Sequence, residues 1–189
     1  MLLTSLYVFL SYLLGSLSAA VITCKLMHLP DPRSEGSNNP GVTNVYQLYG
    51  KKPAVFTLVG DVLKGLLPVA LARYYDLDVL TVSLVAMAAF LGHLYPLFFS
   101  FEGGKGVATA FGLMLALNFY VALLVLVTWL LVLKTFKLSS LSALISSVLV
   151  PVYFYFLDER FTVMSVVMSV FLIWRHRSNI KKIIDGTED

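Results

Sequence analysis

The stretch Val107–Leu133 runs for 27 residues without a charged side chain. Inside a water-soluble domain it would have to be covered on all sides, and a chain of 189 residues has too little interior for that. As one helix it would be about 40 Å long, against a bilayer hydrocarbon core of about 30 Å. Tilt can absorb part of the excess. A break near Asn118 resolves it differently, into an eleven-residue helix and a full span. The short piece cannot cross a bilayer alone and would have to pack against protein.

The rest of the chain has the same character. Apolar residues make up 58% of it and charged residues only 13%, where a soluble domain carries about a quarter. Leu2–Thr23, Pro53–Ala72, Val79–Phe98, Ser140–Phe156 and Phe161–Trp174 are further apolar segments, close to the roughly 20 residues of a spanning helix. Leu2–Thr23 is read as a retained span. It lacks the basic leading region of a signal peptide and stays apolar too far. Cys24 is alone, which excludes an internal disulfide and a Cys/His zinc motif.

Charge orders the segments. Cytoplasmic loops collect Lys and Arg. Lys25, Arg33, Lys51 and Lys52 fall in the polar stretch Lys25–Lys52, and Arg175, Arg177, Lys181 and Lys182 in the tail. The loops at Arg73 and Arg160 have one cation each, with acids alongside. Both basic regions lie on one side only if the chain breaks near Asn118. The expectation is an all-α, polytopic membrane protein: one integral-membrane domain over residues 1–189, with seven membrane segments, the N-terminus outside and the C-terminus cytoplasmic. The unbroken alternative has six segments and puts the basic tail on the other side. In the seven-segment arrangement the long polar loop, the glycine loop after the third span, the Lys134–Ser139 loop and the tail share one face.

Two loops on that face suit anions. "EGSNNPGVTN" gathers Ser37, Asn38, Asn39, Thr43 and Asn44 around Gly36 and Gly41. Glycine lets backbone N–H groups turn inward to form an anion nest, while Asx-turns in a solvated loop are the plainer alternative. "EGGKGVAT" sets Gly103, Gly104 and Gly106 around Lys105, just before an apolar run. A helix starting at Gly106 or Val107 would aim its N-terminal N–H groups at the loop. Taken alone, the segment reads more readily as a flexible turn with a snorkelling lysine. It is not a Walker A sequence, which needs GxxxxGK[ST] after a strand, so neither nucleotide nor nucleic-acid binding is expected.

Asp61 and Lys64 share a helix face inside an apolar segment and can neutralise each other. His93 closes the third span, as a core histidine or as a supporting group. His176 lies in "RHRSN", near Asn179, where a proton shuttle and a basic lipid anchor are both open readings. The histidines are too scattered for a metal site. There is no HxxxxD pattern, no GxSxG elbow, and no convincing base beside Cys24. Anion-binding loops without a covalent nucleophile suit an enzyme that aligns two phosphorylated reactants. A transporter or flippase for a phosphorylated metabolite or lipid is the alternative, but it would place its polar groups near the midplane, often between internal repeats.

The segments "YLLGSLSAA", "LPDPRSEGSNNPGVTNVY", "GDVLKGLLP", "GHLYPLFFSFEGGKGVATAFG", "SSLSAL" and "RHRSNI" together resemble the bacterial acyl-phosphate:glycerol-3-phosphate acyltransferase family (PlsY). The resemblance implies a seven-span inner-membrane enzyme of phospholipid biosynthesis, with its active site facing the cytoplasm and no cofactor. It implies acyl transfer from acyl phosphate to the sn-1 hydroxyl of glycerol 3-phosphate, giving lysophosphatidic acid and inorganic phosphate. It also implies a functional link to the enzyme that makes acyl phosphate. Carried over by motif, Ser37, Asn39, Thr43, Asn44 and the Gly36 and Gly41 backbone shape one phosphate site. Lys105 with Gly103, Gly104 and Gly106 holds phosphate from the second loop. Ser140 matches a serine opening the sixth segment, and His176 and Asn179 bind glycerol 3-phosphate. The hydroxyl proton goes to His176 or to the substrate's own phosphate; the latter is preferred, because two flanking arginines oppose a cationic imidazole. Three positions depart from the family pattern: Asn38 replaces a glycine, Glu102 a non-acidic residue, and Gln47 an arginine expected to bind phosphate.

Overall fold

The computed structural model describes residues 2–188, which are helical with no strand among them. The chain forms two compact units, Met1–Leu117 and Asn118–Asp189.

The first unit holds α1 (Leu2–Gly15), α2 (Ala19–Leu26), α3 (Val42–Tyr49), α4 (Lys51–Tyr74), α5 (Val79–Leu94) and α6 (Val107–Leu117). A 3-10 turn, Leu97–Phe99, follows α5. The first apolar segment, expected as one helix over Leu2–Thr23, is instead two helices bent by 45°. The cause is local. The Val21 N–H, which a continuous helix would give to the Leu17 carbonyl, is capped by Ser18 Oγ at 3.4 Å. The Leu17 carbonyl is left outside the ladder and accepts from Lys64 Nζ of α4 at 2.8 Å.

Close packing comes from small residues. A Cβ on Gly15 of α1 would run into the Ala89 backbone of α5, and one on Gly92 of α5 into the Tyr12 and Gly15 backbone. Likewise, Gly65 of α4 lies against the Thr109 carbonyl and Gly112 of α6 against the Val62 carbonyl. Between apolar helices in lipid, association rests on such backbone proximity rather than on water release. Arg73, at the end of α4, donates to the carbonyls of Ala116 and Leu117. It thereby satisfies orphan acceptors at the C-terminal end of the short α6.

The second unit holds α7 (Phe119–Phe136), α8 (Ser139–Leu157), α9 (Thr162–Arg175) and α10 (Arg177–Ile184), with a 3-10 turn at Glu159–Phe161 before α9. The long apolar run does break at Asn118, whose Oδ1 accepts from the N–H groups of Tyr120 and Val121 and caps α7. Pro151 interrupts the hydrogen-bond ladder of α8 and releases the carbonyl four residues earlier. That carbonyl, of Ser147, accepts from Ser169 Oγ of α9 at 2.6 Å. Thr128 and Tyr153 join α7 to α8 at 2.7 Å.

Four helical stretches are long and apolar enough to span a membrane, namely Lys51–Tyr74, Val79–Phe99, Phe119–Phe136 and Ser139–Leu157. The bent pair α1 and α2 counts as a fifth if the two helices form one span. Gly112→Val should overpack the α4–α6 contact and cost about 1–3 kcal/mol. A lowered thermal midpoint in detergent is the expected result, and an unchanged midpoint would contradict this packing.

Candidate functional site

The Ser/Asn loop is organised by one buried amide. Asn44, at 2% exposure, accepts from the Ser37 N–H at 2.9 Å. Its Nδ2 donates to the carbonyls of Pro32 at 2.9 Å and Glu35 at 3.2 Å. The loop is therefore folded over α3, which begins just before Asn44 and carries it inward. Gly36 has φ +61°, and a Cβ there would strike Asn44 Oδ1. Ser37, Asn38 and Thr43 stay exposed around this anchor, with Asn39 and Gly41 half-buried. Asn38 has φ +56°, a region that favours glycine and that asparagine tolerates better than most residues. Asn38, where the resemblance implies a glycine, thus adopts a conformation that glycine also favours.

Tyr49, at the end of α3, donates to Glu35 Oε2 at 2.8 Å, with the Pro30 carbonyl at 3.2 Å. Desolvation and then the neighbouring Glu35 carboxylate push its phenol up to about 12. It therefore remains a donor well into alkaline solution.

Arg33 joins this loop to the glycine loop. Its Nε and Nη2 grip the Asp31 carboxylate, at 2.7 Å for the shortest contact. Hydrogen bonding from Arg33 holds the Asp31 carboxyl below its ordinary value. Nη1 donates to the Phe99 carbonyl at 3.3 Å and lies 3.5 Å from Glu102 Oε2, and the guanidinium sits 5.8 Å above the Phe99 ring. The acid at Glu102, unexpected beside a lysine, thus faces an arginine. Arg33 is thus engaged by Asp31, Phe99 and Glu102. The Asp31-x-Arg33 spacing was the available signal for this fork, and it was not read as one.

The glycine loop follows Ser100 and Phe101, both with left-handed φ, at +56° and +61°. Such strain in non-glycine residues persists only where surroundings impose it. Gly103 lies against the carbonyls of His93 and Leu94, and Gly104 against the His93 ring. The Gly104 N–H donates to the His93 carbonyl at 3.2 Å. Gly106, with φ +91°, packs on Phe90 and Leu94. Lys105 is half-buried between them, and α6 starts directly after Gly106. Inside the same unit Asp61 lies 2.9 Å from Lys64 Nζ and 3.5 Å from His93 Nδ1, all three nearly inaccessible to solvent.

In the second unit, Ser140 is buried in the first turn of α8 and His176 is 3% exposed at the α9–α10 junction. His176 Nδ1 is 2.8 Å from the Leu172 carbonyl. A carbonyl only accepts, so Nδ1 is the donor in this contact. Asn179 Nδ2 donates to Glu188 at 2.6 Å. The tail helix α10 was not anticipated, although Ile180, Ile183 and Ile184 mark one apolar side. Among the described residues no cluster of metal-ligating side chains occurs.

The fold defines an all-helical membrane protein whose polar loops are held by buried side chains. The chain belongs to the glycerol-3-phosphate acyltransferase family, whose model matches residues 5–186. It is 53% identical to the glycerol-3-phosphate acyltransferase of Hydrogenovibrio crunogenus over 95% of this chain and 87% of the relative. It is 50% identical to that of Ruthia magnifica over 95% and 92%. Its structure is similar to crystal structures of PlsY (YgiH), an integral membrane glycerol 3-phosphate acyltransferase. The glycerol 3-phosphate form has a TM-score of 0.94 at 34% identity, covering 98% of this chain and 94% of that one. The lysophosphatidic acid form has a TM-score of 0.92 at 33% identity, with the same coverage.

Asn44→Ala leaves one donor and two acceptors of the loop without their partner and should cost about 1–3 kcal/mol locally. Faster proteolytic cleavage between residues 30 and 41 is expected. Cleavage at the wild-type rate would contradict the anchoring role.

Proposed function

We propose that this chain transfers an acyl group from acyl phosphate to the sn-1 hydroxyl of glycerol 3-phosphate by direct attack. The observation that carries this reading is the tie between the two polar loops through Arg33. It stands in a family whose solved member has been crystallised with glycerol 3-phosphate and with lysophosphatidic acid. The product is the first of these molecules with an acyl group added. In the proposed step the sn-1 oxygen bonds to the acyl carbon, and the bond from that carbon to the phosphate oxygen breaks. The electron pair leaves with inorganic phosphate and the hydroxyl proton is removed. Acyl phosphate is already activated, so no acyl-enzyme is needed. Catalysis is alignment of two anions and stabilisation of the charge that develops on the carbonyl and leaving phosphate.

Lys105 and the backbone of Gly103, Gly104 and Gly106 hold phosphate, supported by the positive N-terminal end of α6. Ser37, Asn39, Thr43 and the Gly36 and Gly41 backbone line the other phosphate site, with Asn44 keeping the loop in shape. His176 and Asn179 serve the glycerol 3-phosphate side, and Ser140 is a further substrate- or phosphate-binding residue. The substrate's own phosphate takes the hydroxyl proton. Neither a cofactor nor a metal enters this scheme. The chain is proposed to work as one domain in the bacterial inner membrane. It would have seven segments, with the N-terminus outside and the loops and C-terminus cytoplasmic, where it draws on the enzyme that makes acyl phosphate.

Purified, folded protein given acyl phosphate and glycerol 3-phosphate should release phosphate and lysophosphatidic acid in equal amounts; no activity above background would overturn the reading. Lys105→Ala removes a charge-assisted contact and should cost about 2–4 kcal/mol in kcat/KM, whereas a near-normal value would contradict the assignment. Gln47→Arg should lower KM for glycerol 3-phosphate, and an unchanged or raised KM would show a rebuilt pocket.

A further inference from the structure

We propose that His93 is a positioning residue for the glycine loop, held in place by Asp61; this rests on Lys105 as the phosphate-binding group. His93 grips Gly104 twice. Its carbonyl accepts the Gly104 N–H at 3.2 Å, and its ring lies so close that a Cβ on Gly104 would meet Nε2. Gly103 rests on the carbonyls of His93 and Leu94, and Gly106 on the side chains of Phe90 and Leu94. The loop is thus moulded on the last turn of α5, and Lys105 is carried between two of the moulded glycines.

The opposite edge of the His93 ring faces the buried ion pair. Nδ1 is 3.5 Å from Asp61 Oδ1, which is 2.9 Å from Lys64 Nζ. Lys64 donates in turn to the Leu17 carbonyl at the bend between α1 and α2. Asp61 Oδ1 thus lies off the Nδ1 edge of the ring and Gly104 off its Nε2 edge, so the ion pair and the loop meet opposite edges of one imidazole. An apolar side chain would fill the same space without being oriented by the pair. The contacts form one series from Leu17 through Lys64, Asp61 and His93 to Gly104. The charges that cross-link the helices also set the path of the backbone that presents Lys105.

A double-mutant cycle in kcat/KM tests this. His93→Ala should lose about tenfold alone, but less than about twofold more when added to Lys105→Ala, because coupled residues are not additive. His93→Gln keeps bulk and polarity but lacks a donor at the Nδ1 position, and it should follow His93→Ala. It also carries the cycle if the alanine variant does not match wild type in helicity and elution. A tenfold loss that recurs in full on the Lys105→Ala background, or wild-type activity in His93→Gln, would overturn the positioning role. Near-normal activity of Lys105→Ala by itself would instead overturn the phosphate assignment beneath it.

Discussion

Lys64 reaches a carbonyl that a continuous helix would have kept for itself. The bend between α1 and α2 frees Leu17, and the ammonium takes that acceptor together with the Asp61 carboxylate. A charge within an apolar bundle is costly unless it is paired and hydrogen-bonded. Here the Lys64 ammonium has both a charge partner and a carbonyl acceptor, and it ties α4 to the bend between α1 and α2. A bundle packed through glycine has few side chains at its contacts to set register. The buried pair supplies a directional contact that dispersion between small residues does not.

The same device recurs at other places where a helix is interrupted. Arg73 closes the carbonyls at the end of α6, Asn118 caps α7, and the Ser147 carbonyl released by Pro151 receives Ser169 Oγ. In lipid no water is at hand to satisfy a broken ladder. Each of these interruptions therefore comes with its own polar partner. The polar loops follow this rule too: Asn44 serves three backbone groups, and Arg33 ties its loop to the backbone beside the glycine loop.

Much of this was legible in the sequence. Apolar run lengths located α4, α5, α7, α8 and α9 to within a few residues, because about 20 residues of helix match a bilayer core. The break at Asn118 followed from the distribution of basic residues. The bend at Ser18 did not, because serine in an apolar helix reads as a tolerated residue until its backbone partner is seen. Local spacing paired Asp61 with Lys64 but could not show that the pair leans on His93, which lies on another helix. Motif resemblance singled out Asn44 and Asn38. The structure adds that Asn44 is spent on its own loop and that Asn38 occupies a conformation glycine would also choose. Glu102 was puzzling in sequence because its partner, Arg33, is 69 residues away.

These features describe a helical membrane frame that holds two polar, glycine-containing loops tied together through Arg33. The central claim is direct attack on acyl phosphate. It is tested most directly by incubating the purified protein with acyl phosphate and isotopically labelled inorganic phosphate, in the absence of glycerol 3-phosphate. An acyl-enzyme would return its acyl group to labelled phosphate and carry the label into acyl phosphate. Direct attack predicts no incorporation above the uncatalysed rate, and enzyme-dependent incorporation would contradict it.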